Sequence, residues 1–360
     1  MEGLNETDMQ AVLNTYTFSN WYFPTMFPLK EQYTFDFKAI EQSMTLRVAA
    51  DVVARGASID KKSRPAVGKI FGELPKLAIK RTMDENEIDE YYTMLDRTSG
   101  DARARKIVEY WSNDTQFCFD GLGNKLEIIG LQGFSRGKVN FTGETNQGIV
   151  TEFALDYKCP NQVGVLSGSA AWSDATAAKP IDDLRLRVQY MRKQKHISPK
   201  FAFMNIDTFV LMAATKQVIE RCASFAANAL GIQGVPGITE VNTMLAKIPD
   251  LYGLQIVIID VDPIDAEIDG EYHSIKPFAD NSVILTESKQ VGQTFWKAPN
   301  DRKVKTKATF AQRQYALVKK FAYDEPLEEV TMGIANALPV WEGANRSLMI
   351  DVSNTEWSIQ

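Results

Sequence analysis

The sequence predicts an α+β fold, and three observations carry that prediction. Segments of helical period and of strand period follow one another without the regular strand–helix–strand order of a doubly wound sheet. The 360 residues are 44% apolar and 24% charged, enough for one large domain or two smaller ones with a real core. Charge is unevenly spread. From Arg55 to Arg81 there are eight basic residues and two acidic ones, net +6 in a chain that totals −6. A basic element on an acidic body needs a partner, either nucleic acid or another copy of the same body.

That basic stretch reads as a long two-stranded arm. Apolar runs Leu46–Ala54 and Val67–Ile79 flank a tip of Gly56, Lys61, Lys62, Arg64 and Pro65. Val67, Lys69 and Phe71 alternate with Gly68 and Ile70, the period of a strand. A solvated surface hairpin is the plain alternative, but a long arm left loose in a compact domain usually binds something. The next ten residues complement it: Asp84, Glu85, Glu87, Asp89 and Glu90. The tether is too short for easy fold-back. The expected contact is therefore Arg55, Lys61, Lys62, Arg64 and Lys69 of one copy with those acidic residues of a neighbour.

Ahead of the arm, residues 1–36 hold Tyr16, Phe18, Trp21, Tyr22, Phe23, Phe27, Tyr33 and Phe35. Pro24 and Pro28 oppose a helix, so an extended N-terminal arm is expected. Trp21, Tyr22, Phe23 and Phe27 are its candidate anchors. A strand packed on the chain's own core is the equal alternative.

Asp84 with Glu87 three residues on reads as a capping box, followed by Ile88, Tyr91 and Leu95 at helical spacing. A second helical pattern, Ala102 to Trp111, leads into polar Ser112-Asn113-Asp114. A third begins there, with Phe119, Leu122, Leu126, Ile129 and Gly133 in register. Gly121, Gly123, Gly130 and Gly133 cost helicity but permit close backbone approach, and Gly137 supplies a stop. Lys138–Thr142 and Ile149–Tyr157 read as a hairpin, and 158–179 as a long connection. Pro180 opens a helix with Asp182 and Asp183 in its first turn and Leu184, Val188 and Met191 on its apolar face. Strands are expected at Phe201–Met204, Leu254–Val261, Tyr272–Phe278, Ser282–Thr286, Val330–Ile334 and Leu348–Val352, with Pro339 between the last two. Ile206–Phe225 reads as a helix or a broken pair, and Val241–Leu245 as a short helix.

Catalytic and ligand motifs are looked for and not found. His196 and His273 stand 77 residues apart without a neighbouring Cys or His. Gly137-Lys138 lacks the rest of a phosphate loop, and Gly164-Val165-Leu166-Ser167-Gly168 has the wrong spacing for a nucleophile elbow. Asp260, Asp262, Asp265, Glu267 and Asp269 fail the ligand spacing of a calcium loop and read as a strand-to-hairpin turn. The expectation is no catalytic residue, no cofactor and no metal. Three scattered cysteines, Cys118, Cys159 and Cys222, suit a reducing compartment. The acidic, polar start is no signal peptide, and no apolar run approaches the roughly 20 residues of a membrane helix. A pI of about 5.3 speaks against a dedicated nucleic-acid binder.

The order of these elements closely resembles the lambda-type (E family) major capsid proteins of tailed bacteriophages. The resemblance is carried by LEIIGLQGFSRGKV, PIDDL opening a helix, LQIVIIDV, KPFADNSVILTE followed by VGQTF, and ALPVWEGANRSLMIDV. It covers nearly the whole chain and is most specific at 113–142, 180–190 and 254–296. It implies an HK-ninety-seven-like fold with 1–36 as the N-arm and 47–83 as the extended E-loop. The peripheral domain would take 84–178 and 300–338, and the axial domain 179–299 and 339–360, with GIQGVPG at 231–237 near the symmetry axis. It further implies a non-enzymatic protein whose copies form hexamers and pentamers. These would close into an icosahedral shell around double-stranded DNA held without sequence-specific contacts, and no membrane is involved. The aromatic arm begins almost at Met1, so a separate scaffolding protein is expected, along with a portal; a decoration protein is left open. No partner is identified for isopeptide links from Lys61, Lys62 or Lys69. The expected location is the virion, after assembly in the host cytoplasm. Two other classes stay open: an encapsulin-like compartment shell around a protein cargo, and an oligomeric enzyme with an unrecognised acidic site.

Overall fold

A computed structural model describes residues 6–40, 69–97, 101–141, 153–165, 170–223, 234–268, 270–304 and 307–354. The chain divides into two compact units. The first gathers Met1–Phe37, Phe71–Gly130 and Gln293–Val340; the second gathers Lys38–Ile70, Leu131–Gly292 and Trp341–Gln360.

The first unit is built on a mixed sheet. Its order is β1 (Leu29–Glu31), β13 (Gln293–Lys297), β16 (Leu327–Val340), β15 (Ala316–Asp324) and β14 (Thr309–Arg313). Strand β4 (Lys76–Met83) also pairs with β16, from Met83 opposite Glu329 to Lys76 opposite Asn336. The sequence reading placed Pro339 between strands, but β16 runs through it. The proline sits opposite Thr294 of β13, beyond the last residue paired with β15. Thr294 gives its N–H to Pro28 instead, so the missing proline donor leaves no ladder bond unmade.

Helix α4 (Asp101–Arg136) has 36 residues, about 54 Å at 1.5 Å per residue. The expected break at Ser112-Asn113-Asp114 does not occur. These residues favour helix starts only when their side chains turn back on the backbone. Here Asp114 instead accepts from Arg81 of β4 at 3.1 Å, and Asn113 is exposed. The glycines do permit close approach. A Cβ on Gly123 would stand 2.3 Å from the Trp21 ring, and one on Gly333 of β16 would stand 3.0 Å from the Cys118 carbonyl oxygen of α4. Gly137, at φ +71, ends the helix and donates to Gly133 O at 3.0 Å.

The second unit carries the sheet β7 (Gln162–Gly164), β17 (Leu348–Asp351), β12 (Ser282–Thr286), β8 (Phe201–Asn205) and β9 (Gln255–Ile259). One core joins Ala202, Met204, Val283, Leu285 and Ile350 of this sheet to Leu184, Val188 and Met191 of α5 (Pro180–Gln194). The same core takes Phe209 and Met212 of α6 (Ile206–Ala213), Val218 of α7 (Lys216–Cys222) and Leu245 of α8 (Ile238–Ala246). Alternation along β8 sends Phe203 the other way, edge-on to Phe134 at 5.4 Å. Phe134 in turn meets Trp341 at 5.1 Å, and Tyr157 lies 5.8 Å from Trp341. The expected hairpin exists as β5 (Lys138–Phe141) against β6 (Phe153–Asp156), and 206–222 is a broken pair of helices. The described residues 131–141 and 153–165, expected with the peripheral part, group with this unit because β7 joins its sheet and Tyr157 its aromatic layer. Of the 231–237 loop, 234–237 are described and lead into α8, with Val235 exposed; 231–233 lie outside the described residues.

Candidate assembly surfaces

Two paired strands flank the stretch in which the basic arm is expected. Strands β2 (Asp36–Ile40) and β3 (Lys69–Glu73) form a two-stranded sheet on either side of 41–68. Phe37 of β2 stacks on Phe295 of β13, with centroids 5.6 Å apart and ring planes at 21°. Gly72 of β3 lies over Phe37, where a Cβ would come within 3.0 Å of the ring. Leu74 donates to Phe35 O at 2.8 Å, and Lys297 places its ammonium 3.6 Å from the Phe35 ring centre. Arg55, Lys61, Lys62 and Arg64 lie outside the described residues. Lys69 opens β3, and its side chain is not described.

The second strand of the arm is shorter than expected. Pro75 follows Leu74 and separates β3 from β4, which belongs to the sheet of the first unit. Lys76, Lys80 and Arg81 are therefore sheet residues, not arm residues. Arg81 is committed to Asp114 and lies over the Phe117 ring at 4.7 Å.

The acidic complement is helix α3 (Glu85–Arg97) and its cap. Asp84 Oδ1 accepts from the Glu87 N–H at 2.9 Å, and Glu87 Oε2 accepts from the Asp84 N–H at 3.0 Å. The capping box expected from the sequence is thus present in both directions. Met83 and Tyr91 are buried, while Asp84, Glu85, Glu87, Asp89 and Glu90 are all exposed. Two of the five acceptor candidates also hold the helix start; Glu85, Asp89 and Glu90 carry no such duty.

The N-terminal segment corrects the extended-arm expectation. It contains α1 (Glu6–Thr15) and α2 (Phe23–Met26), and Pro24 is tolerated because it stands in the first turn of α2. The rings are spent on the chain's own body: Trp21 is 7% exposed, Phe23 0% and Phe27 1%, with Tyr22 half-buried. Phe18, Trp21 and Tyr16 surround Phe119 of α4 at 5.4–5.8 Å. Gln10 of α1 donates to Gln312 O and accepts from Gln312 N–H, both at 2.9 Å. A side chain thereby completes the free edge of β14. Arg313 donates to the carbonyls of Leu13 and Asn14 at the end of α1.

Glu127 of α4 is the residue that sequence reasoning missed. It is buried, and its two oxygens accept from the Tyr22 and Phe23 N–H groups at 2.9 and 2.8 Å. Trp21 Nε1 donates to Asn124 Oδ1 at 2.9 Å one turn away. The signal was a carboxylate inside the apolar run LEIIG. Burial pushes the Glu127 carboxyl from 4.5 up to about 7, with the two backbone donors opposing the shift. Between those values the folded chain holds a proton that the unfolded chain gives up. The stability this group contributes is full below about pH 4.5 and is lost as the pH rises through about 7. The shift corresponds to about 3 kcal/mol. Glu127→Gln keeps an acceptor and cannot ionise. Urea unfolding at pH 5 and pH 8 is expected to show a wild-type loss of that order that is absent in the variant; equal losses would refute the assignment.

The second unit presents α5 with its acidic first turn turned inward. Asp183 is buried and accepts from Trp172 Nε1 at 3.0 Å, and Asp182 accepts from Gln217 at 2.8 Å. The acidic turn of the sequence is a ribbon of two strands, β10 (Ile264–Ile268) and β11 (Glu271–Ile275), with Asp265 and Glu267 exposed.

Two units of this kind, a long glycine-bearing helix across one sheet and a helix-covered second sheet, define an HK-ninety-seven-like capsid fold. Two solved structures share it over the full chain. A protein described as a prophage capsid protein of Escherichia coli has a TM-score of 0.59 at 14% identity, over 98% of this chain and 99% of that one. A phage-related protein of Bordetella bronchiseptica has a TM-score of 0.52 at 11% identity, over 98% of both chains. No curated protein matches the sequence. The profile of the family described as phage major capsid protein E matches residues 8–348, and the chain belongs to that family. It is a tailed-phage capsid protein, a structural component of the virion shell rather than an enzyme.

Proposed function

We propose that copies of this chain assemble into hexamers and pentamers that close into an icosahedral shell around double-stranded DNA. Two observations support the reading: the net-basic stretch 55–73 of the sequence, flanked by the paired strands β2 and β3, and the exposed carboxylates at the start of α3. Unlike patches on one chain make head-to-tail contacts, and head-to-tail contacts make rings. In this reading Arg55, Lys61, Lys62, Arg64 and Lys69 reach Glu85, Asp89 and Glu90 of a neighbour, with Asp84 and Glu87 contributing their second oxygens. Each exposed pair is worth roughly 0–1 kcal/mol, so a misplaced subunit can leave, while many contacts together hold a finished lattice. The net charge of −6 suits a container, because a lining that clung to phosphates would oppose both filling and release. Assembly in the host cytoplasm with a separate scaffolding protein and a portal belongs to the same proposal.

Electron microscopy of the purified chain, alone and co-expressed with the product of the neighbouring upstream gene, tests it. Closed megadalton particles are expected. A small discrete oligomer under every condition would overturn the reading.

A further inference from the structure

The ribbon of β10 and β11 follows edge strand β9 and stands apart from the sheet. Asp265 lies opposite Ser274, and Glu267 opposite Tyr272, so these four side chains share one face. All four are exposed, Tyr272 at 74%. None of the other described elements packs broadly on either face. A two-stranded ribbon is marginal in water without something to pack on. Among the described residues no cation pairs with Asp265, Glu267 or Glu271.

Matching charge sits at the other end of β9. Tyr252 precedes that strand in a left-handed conformation, φ 53, with its ring half exposed. The Arg192 guanidinium of α5 lies 3.5 Å from the ring centre. Lys193 follows Arg192 on α5, Lys247 closes α8, and both are exposed. Among the described residues no carboxylate pairs with Arg192, Lys193 or Lys247, whereas Arg185 is held by Asp250. Among the described residues the second unit therefore carries an acidic face without cation partners and a basic, aromatic patch without carboxylate partners, at opposite ends of one strand.

We propose that the acidic face of the β10–β11 ribbon of one copy docks on the Arg192–Tyr252–Lys247 patch of the next copy. This is a second head-to-tail contact, made by other residues than those of the arm. Tyr272 lies over the basic patch as an aromatic face over cations, and Asp265 and Glu267 meet Lys193 and Lys247. The inference rests on the self-assembly reading above and adds the surface it uses.

Four chains test it: wild type, Asp265→Lys with Glu267→Lys, Lys193→Glu with Lys247→Glu, and all four substitutions together. The second pair leaves the Arg192–Tyr252 stack intact, and circular dichroism reports that each chain is folded. By sedimentation velocity, each pair alone is expected to lower the share of protein in capsomers or shells at least tenfold. The fourfold chain is expected to return to within twofold of wild type. Normal assembly of either pair variant overturns the ribbon contact and leaves self-assembly standing. Loss in both pairs without recovery in the fourfold chain overturns it as well. A wild-type chain that stays monomeric at every concentration, both alone and co-expressed with the upstream gene product, overturns both readings.

Discussion

Lys320→Met is expected to lower the unfolding free energy by about 3–5 kcal/mol. Lys320 of β15 and Glu329 of β16 form an ion pair of 2.6 Å with side chains only 7% and 10% exposed. Burial drives both groups toward their neutral forms. It pushes the Lys320 ammonium down to about 8 and raises the Glu329 carboxyl, while each partner opposes the shift of the other. Removing the lysine leaves a carboxylate under the sheet with no cation of its own. Glu329→Leu should cost a similar amount for the mirrored reason. The double variant Lys320→Met/Glu329→Leu is expected to lie near wild type or above it, since an apolar pair avoids the desolvation that the ion pair must overcome. Urea denaturation of the four proteins forms a double-mutant cycle. Additive losses would show that the two charges do not depend on each other.

The second large effect concerns assembly and leaves folding alone. Lys61→Glu, Lys62→Glu and Arg64→Glu together are expected to abolish shells while leaving folded monomers or capsomers. With β4 assigned to the sheet, the stretch from Arg55 to Glu73 has five basic and two acidic residues, so reversing three charges makes the arm acidic. It then meets α3 with like charge, a contact that repels instead of pairing. The compensating change is Glu85→Lys, Asp89→Lys and Glu90→Lys, which spares Asp84 and Glu87 and so keeps the helix start. Particle counts by electron microscopy should fall to background in the first variant and recover in the combined one. Normal shells from the arm variant alone would sink the arm–helix contact.

Much of the second unit was legible because its elements are short and locally signed. Pro180 with two aspartates opened α5, and a run of apolar residues marked β8, β9 and β12. The capping box at Asp84 was legible for the same reason, as both of its bonds lie within four residues. What escaped was decided at long range. Ser112-Asn113-Asp114 has the composition of a helix start, and only Arg81, 33 residues earlier, explains why the helix runs on. The N-terminal rings gave no sign whether their partner was their own chain or another, and Glu127, a hundred residues away, decides it. Strand β7 hid in a polar connection because its pairing with β17 supplies the regularity that its three residues lack. The arm's limit at Pro75 was visible, yet the alternation on either side of it read as one strand.

The glycines of α4 invert the usual relation between helix propensity and tolerance. Its weakest helix formers stand where the Ile79 side chain meets Gly121 and the Trp21 indole meets Gly123. The information at these sites is the lack of a side chain. Drift toward residues that would strengthen the helix in isolation would lift it off its neighbours, so the rail stays soft in order to fit its bed.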